Sequence, residues 1–254
     1  MIELTSKEQQ AGNRVCLALD VPTVREAVNL SSELSDYVGI FKVGKQLHTA
    51  ACNEGVPIVN EIYKRGGNTF LDLKLHDTPN TVYEASKACS VPGVYMFNIH
   101  IGESGKLMCE KAVEGAEKGA QENYLILGRP KVIGVTVLTS ISNSDLEEEG
   151  IFTKYDDLVR RRTELARDWG LDGVVCPASK AGALEKEFGS DFLYVTPGIK
   201  WAGVRREGQK QLYTPDKAVQ DCTSSILVIG GAITTAKDRR KAAYEILQAM
   251  AKHL

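Results

Sequence analysis

The 254-residue sequence predicts one α/β domain folded as a (β/α)8 TIM barrel, and three observations support this prediction. Short apolar, β-branched runs recur eight times, segments with helical spacing separate them, and no Pro-, Gly- or Ser-rich linker divides the chain. Eight strand and helix units in about 250 residues match the usual size of this barrel. We therefore expect residues 1–254 to form a single barrel domain.

Each of the eight apolar runs is short enough to be a strand that is buried on both faces. In chain order they are residues 14–20, 39–43, 69–74, 94–100, 132–138, 173–176, 192–196 and 225–230. Stretches rich in helix formers lie between them, such as VREAVNLSSELSDY after the first run and AKDRRKAAYEILQAMAKHL after the last. Alternating strands and helices are typical of parallel pairing. Longer surface segments are expected at residues 117–130 and 143–153.

A doubly wound open sheet is the competing arrangement for alternating strands and helices. Such a sheet commonly carries a Gly-rich dinucleotide fingerprint after its first strand. The corresponding segment here, LALDVPTVREA, has no such glycines. The sequence therefore favours the closed barrel.

Composition excludes several classes of protein. Hydrophobic residues make up 43% of the chain, charged residues 25%, and the formal net charge is -2, which argues against disorder and against a basic nucleic-acid surface. No apolar stretch approaches the roughly 20 residues that cross a bilayer, and the first residues lack the apolar segment of a signal peptide. The six cysteines form no C-x-x-C pair. We expect a cytoplasmic protein that binds neither nucleic acid nor membrane.

Charged residues end the early runs. Catalytic groups of a barrel lie at the carboxyl ends of its strands, where Asp20, Lys42, Asp72 and Lys74 stand, with Asp77 just beyond. Alone, each would be a solvated rim charge. However, Lys42 lies in FKVG and Asp72 in FLDLK, where an unpaired charge is costly, so we expect the five to form one alternating network. Such networks tune ionisation for catalysis.

Glycines follow the last two runs, in TPGIK at residues 196–200 and in GGAIT at residues 230–234. These are the positions where many barrels bind a phosphate through backbone N–H groups at the start of a short helix. The glycines could instead serve only tight turns. Together the two loops favour a phosphate site.

The motif D-x-K-x-x-D in FLDLKLHDTPNTV, together with LALDVP, FKVG, VTVLTS and VTPGI in this order, resembles the orotidine 5'-monophosphate decarboxylase family. The resemblance covers almost the whole chain. It implies a homodimeric barrel that converts orotidine 5'-monophosphate to UMP in de novo pyrimidine biosynthesis, with no cofactor and no metal.

The resemblance also assigns residues. It implies that Lys42, Asp72, Lys74 and Asp77 are catalytic, with Lys74 donating a proton to C6 of the pyrimidine. Asp77 and Thr78 would enter the site of the other subunit. The substrate-binding residues that it implies are Asp20, Thr78, Thr139, Pro197, Lys200, Gln209, Gly230 and Gly231. Of these, Asp20 would contact the ribose, Thr139 the pyrimidine, and Gln209 the phosphate and base.

One position departs from the family pattern. Relatives usually have V-G-R after the eighth strand, and their arginine pairs with the substrate phosphate, whereas this chain has glycine at position 231. We expect a neighbouring cation to replace that arginine. The candidates are Lys200, Arg205, Arg206 and Lys210. Residues 201–213, which hold most of them, are expected to close over the site as a lid.

Two other functions stay open at the level of sequence. Barrel decarboxylases and aldolases of the same superfamily act on sugar phosphates, use magnesium and share D-x-K-x-x-D. A chelator would inhibit such an enzyme and not the orotidine enzyme. Gly231 also allows a nucleotide-binding relative without catalysis, although the intact charged set argues against it.

Overall fold

The chain folds into a closed barrel of eight parallel strands, described by a computed structural model over residues 3–102, 105–201 and 213–254. The strands are β1 (Val15–Ala18), β2 (Ile40–Gly44), β3 (Asn68–Leu75), β4 (Val94–His100), β5 (Lys131–Val135), β6 (Gly173–Val175), β7 (Leu193–Thr196) and β8 (Ser225–Ile229). Each strand pairs with the next, and β8 pairs with β1 to close the ring. The predicted fold is therefore confirmed.

Helices surround the barrel and connect its strands. In the described ranges they are α1 (Ser6–Asn13), α2 (Val24–Leu34), α3 (Lys45–Glu54), α4 (Ile58–Tyr63), α5 (Pro79–Cys89), α6 (Gly105–Glu122), α7 (Asn143–Glu148), α8 (Tyr155–Asp168), α9 (Ala178–Phe188), α10 (Pro215–Asp221), α11 (Gly231–Thr234) and α12 (Arg239–Ala251). No helix in these ranges has both the length and the apolar character needed to cross a bilayer.

The two segments expected as surface excursions are partly helical. Helix α6 continues through residue 122, because Gly115 and Gly119 let it approach α5 closely: a Cβ at Gly115 would lie 2.2 Å from the carbonyl oxygen of Tyr83. Helix α7 begins with a capping box and is anchored by Leu146, which is buried. The fifth strand also ends at Val135, three residues earlier than the predicted 138.

Alternation along the strands decides which side chains enter the barrel. An apolar cluster fills the interior, and its buried members are Cys16, Ala18, Ile40, Phe70, Met96, Ile133, Val195, Ile226 and Val228. Two residues after Ile40, Phe70 and Met96 stand Lys42, Asp72 and Asn98, on the same inward faces. The polar groups of the site thus rest on an apolar floor.

Candidate active site

Four of the five charged residues singled out from the sequence form one chain of alternating charges. The Nζ atom of Lys42 lies 2.9 Å from Oδ1 of Asp20 and 3.4 Å from Oδ2 of Asp72. The other oxygen of Asp72 lies 2.5 Å from Nζ of Lys74. We call these four residues, Asp20, Lys42, Asp72 and Lys74, the charged array.

The middle of the charged array is withdrawn from solvent, which makes its pairing necessary. The side chains of Lys42 and Asp72 are 10% and 14% exposed. Burial alone would lower the pKa of Lys42, but the carboxylates of Asp72 and Asp20 outweigh it and the pKa is raised. Burial would likewise raise the pKa of Asp72, yet Lys42, Lys74 and Asn98 together hold this pKa below its ordinary value. Both groups therefore stay charged at neutral pH.

An irregularity in β3 presents Lys74 to the site. Between the pairs Leu71 with Phe97 and Leu75 with Ile99, three residues of β3 face a single residue of β4, Asn98. Lys74 itself has a left-handed backbone with φ of 53°, which is uncommon for a residue with a side chain. The bulge turns the lysine away from regular strand geometry and toward Asp72.

Asn98 is a site residue that sequence reasoning missed. It is fully buried, its Nδ2 donates to Oδ1 of Asp72 at 2.8 Å, and its Oδ1 accepts from the backbone N–H of Lys74 at 2.7 Å. The available signal was an asparagine inside the otherwise apolar strand VYMFNIH, because a buried amide needs polar partners.

The charged array borders a cavity of about 200 Å³ in the mouth of the barrel. Three of its members, Lys42, Asp72 and Lys74, line one side. Thr139 and Pro197, both predicted to bind substrate, line it as well. Apolar side chains complete the wall, namely Phe70, Val135, Val137, Leu138, Val175, Val195 and Val228. A flat, largely apolar ring would fit against this wall with one edge at the charges.

Asp77 and Thr78 lie apart from the charged array within one chain. Both are exposed, and the Asp77 carboxylate accepts a 2.6 Å hydrogen bond from the N–H of Thr78, just before α5. The ion pairs among the described residues do not join Asp77 to the charged array.

The glycine loops lie after β7 and β8, as the sequence indicates. Gly231 is the first residue of the short helix α11, whose first N–H groups have no partner within the helix. A Cβ at Gly231 would meet nothing within 4 Å, so the position has room for a larger side chain. Gly230 approaches β1, where its Cβ would make an ordinary 3.6 Å contact with Ala18.

Lys200 is half-buried after β7, and its N–H donates to the carbonyl oxygen of Tyr213 at 3.1 Å. Gln209 and three of the candidate cations, Arg205, Arg206 and Lys210, lie outside the described residues, as does most of the predicted lid.

Comparison with known proteins decides the family. Residues 13–246 match the family model described as orotidine 5'-phosphate decarboxylase / HUMPS family. The chain belongs to this family. The match spans most of the chain and confirms the resemblance carried by the D-x-K-x-x-D motif.

Relatives within the family are similar over nearly their whole length. The orotidine 5'-phosphate decarboxylase of Heliobacterium modesticaldum is 39% identical over 248 residues, which cover 96% of this chain and 98% of the relative. That of Syntrophomonas wolfei is 40% identical over 240 residues, 94% of this chain and 98% of the relative. The crystal structure of the enzyme from Lactobacillus acidophilus superimposes with a TM-score of 0.79 at 31% identity, covering 93% of this chain and 98% of that one.

A second cavity of about 170 Å³ adjoins the first and shares Val137 and Leu138 with it. His76 and His100 line it, with ring centroids 5.8 Å apart. Burial, with a smaller contribution from His76, lowers the pKa of His100. Over residues 3–102, 105–201 and 213–254, no three His, Cys, Asp or Glu side chains are grouped as a metal ion would require.

Proposed function

We propose that the chain decarboxylates orotidine 5'-phosphate to UMP in pyrimidine biosynthesis, with Lys74 as the proton donor to C6. The observation that carries this proposal is the charged array at the edge of an otherwise apolar cavity. Family membership and the names of the relatives support the reaction.

The reaction needs a group that stabilises negative charge at C6. The bond between C6 and the carboxylate breaks, CO2 leaves, and the electron pair stays on C6. A new C6–H bond then forms with a proton from the Lys74 ammonium, which water later replaces. Enzymes lower barriers by up to about 23 kcal/mol, more than one contact supplies, so several fixed charges must act together.

Lys74 and Asp72 divide this work. The Lys74 ammonium stabilises the developing carbanion before it gives up its proton. Asp72 fixes the direction of that ammonium through the 2.5 Å contact between them. Its charge also opposes the substrate carboxylate, and this repulsion ends when CO2 leaves. Lys42 holds Asp72 from the other side.

The residues around the cavity support contacts with the pyrimidine, the ribose and the phosphate of the substrate. Thr139 and Pro197 would contact the pyrimidine, which packs on the apolar wall, and Asp20 with Lys42 would bind the ribose. The phosphate would reach Gly230 and Gly231 at the start of α11, with Lys200 and Gln209 closing on it. Binding energy from the phosphate can then favour the closed, water-poor site in which the charges act strongly.

We further propose a cytoplasmic homodimer in which Asp77 and Thr78 complete the site of the other subunit. The exposure of both residues, close to the end of the strand that carries Asp72 and Lys74, supports this arrangement. Mixing two inactive variants tests it: Lys74→Ala and Asp77→Ala should regain activity after subunit exchange, because one site of a mixed dimer has both native residues. No recovery, with exchange verified by mass, would contradict the shared site.

The reaction is tested by following the absorbance of orotidine 5'-phosphate with purified protein in the presence of EDTA. We expect the substrate absorbance to fall and UMP to form. Turnover that appears only with added magnesium and a sugar phosphate would support the other branch of the superfamily. Tight UMP binding without turnover would indicate a nucleotide-binding relative that is not an enzyme.

A further inference from the structure

The geometry points to Asn98 as a positioning residue for the decarboxylation: we propose that its amide holds Asp72 and Lys74 in the mutual geometry that proton donation requires. This inference rests on the proposed function. It concerns a residue that does not touch the substrate cavity, since the cavity lining within the described residues does not include it.

Both hydrogen bonds of Asn98 go to the two residues that act on C6. A backbone N–H can only donate and a carboxylate can only accept, so these two partners fix the orientation of the amide. Its oxygen faces the N–H of Lys74 at 2.7 Å and its nitrogen faces Asp72 at 2.8 Å. The side chain is fully buried, so water does not compete for either bond.

The bulge in β3 explains why a side chain is needed here. Three residues of β3 oppose Asn98 alone, so the regular backbone ladder between β3 and β4 is interrupted at Lys74. The amide replaces the missing ladder acceptor for the Lys74 N–H and thereby supports its left-handed backbone. Without it, this N–H loses its partner and the backbone is free to relax toward an ordinary strand, which would redirect the ammonium.

The Asn98 amide also positions the carboxylate of Asp72. Oδ1 of Asp72 accepts from both Lys74 Nζ and Asn98 Nδ2, so the asparagine bond holds the carboxylate while the ammonium loses and regains its proton. Asn98 thereby keeps Asp72 in place when Lys74 becomes neutral during the reaction.

The first test compares the effect of Asn98→Ala on kcat with its effect on UMP affinity. We expect kcat to fall about a hundredfold, as for a reacting group displaced by about 1 Å, while UMP affinity stays within about threefold. Met108→Ala is the control, because Met108 is equally buried but lies on α6, and it neither lines the cavity nor belongs to the charged array. It should lower the melting temperature but leave kcat per folded molecule within about threefold of the wild type.

The second test is acid rescue in Asn98→Asp. The ionisable groups around this position are Asp72 and Lys74 on β3, Lys42 on β2 and His100 on β4 itself. Two adjacent carboxyl groups share one proton, and a protonated acid at position 98 can donate to Asp72 as the amide does. We expect the kcat of Asn98→Asp to rise at least about fivefold from pH 8 to pH 5.5, while the wild type changes by less than about twofold.

The outcomes separate the inference from the function on which it rests. A wild type that turns over while Asn98→Ala keeps its kcat within about threefold would overturn the positioning role alone. So would an Asn98→Asp variant that loses activity equally at both pH values, because a merely structural role predicts no acid rescue. If the wild type itself does not turn over orotidine 5'-phosphate, the proposed function fails and the role of Asn98 with it.

Discussion

The first four strands of the barrel and the residues just after them carry the charged and amide side chains of the site, whereas the last four face it mainly with apolar side chains and are followed by glycines. Strands β1 to β4 and their ends supply Asp20, Lys42, Asp72, Lys74 and Asn98, which bond to one another. Strands β5 to β8 supply the apolar side of the same cavity, namely Val135, Val175, Val195 and Val228, and the glycines that follow β8.

Under the proposed function, this difference separates the residues that act in the chemical step from the residues that only bind the substrate. A contact that acts only in the transition state raises kcat, whereas a contact made equally with substrate and transition state lowers KM alone. Under the proposed function, the charged half would face the atom that gains charge, and the apolar half would hold parts of the substrate that do not react. Substitutions in the two halves should therefore have different kinetic signatures.

Lys74→Ala should have the largest effect. We expect kcat to fall by at least about 10⁴-fold, because the variant loses both the proton donor and the charge nearest C6. UMP affinity should stay within about tenfold, since the cavity wall and the glycine loops remain. Turnover by stopped absorbance assays and UMP binding by calorimetry measure the two quantities. Retained turnover would contradict the role of Lys74.

Asp72→Asn should come second. It leaves Lys42 and Lys74 without their shared carboxylate, so we expect kcat to fall by about 10²–10³-fold. Removing one partner from a buried ion pair should also lower the free energy of unfolding by about 3 kcal/mol. Urea unfolding measures the second effect. A variant as stable and as active as the wild type would show that the charged array is only a surface feature.

The pH dependence of the free energy of unfolding tests the same ion pairs of Asp72. Because the folded pKa of Asp72 is lowered, its contribution is present above its unfolded pKa, about 3.9, and is lost as pH falls through the folded value. Because the folded pKa of Lys42 is raised, its contribution is present below its unfolded pKa, about 10.4, and is lost as pH rises through the folded value. The stability difference between wild type and Asp72→Asn should thus be flat between about pH 5 and 9 and shrink below about pH 4.

Thr139→Val changes the binding half and should have a smaller effect. Loss of one hydrogen bond to the pyrimidine should weaken UMP binding by about three- to tenfold and leave kcat within about twofold. Steady-state kinetics separates the two. A large loss of kcat with unchanged UMP binding would place Thr139 in the chemistry instead.

Gly231→Arg should have the smallest effect. The position is open to a side chain, so the variant is expected to fold normally. If Lys200 or a neighbouring cation already neutralises the phosphate, UMP affinity should change by less than about threefold. A gain in UMP affinity of about thirtyfold or more would show that the phosphate lacks a cationic partner in this chain. It would refute the hypothesis that a neighbouring cation replaces the arginine.

The sequence predicts the barrel and much of the charged array for one physical reason. A parallel strand buried on both faces leaves a continuous apolar run, and a charge inside such a run must find a partner. Lys42 and Asp72 were therefore predictable. The sequence marks Asn98 as a buried amide that needs partners, but it does not show which groups those partners are, and no local pattern in FLDLKLHD predicts the bulge at Lys74.

Helix boundaries were harder to predict than strands. A surface segment was expected from residue 117, yet α6 continues to Glu122, and Gly115 and Gly119 allow it to pack closely on α5. Such close approach depends on a neighbouring element and is invisible in a local pattern. The roles of Asp77 and Thr78 depend on a second chain, so neither the pattern nor the geometry of one chain decides them.

A crystal structure of the protein with UMP tests the division of the barrel mouth most directly. We expect Lys74 Nζ within about 3.5 Å of C6, the pyrimidine on the apolar wall and the phosphate at the glycines that follow β8. A UMP bound with C6 facing the apolar wall, or with its phosphate at the charged array, would contradict the account.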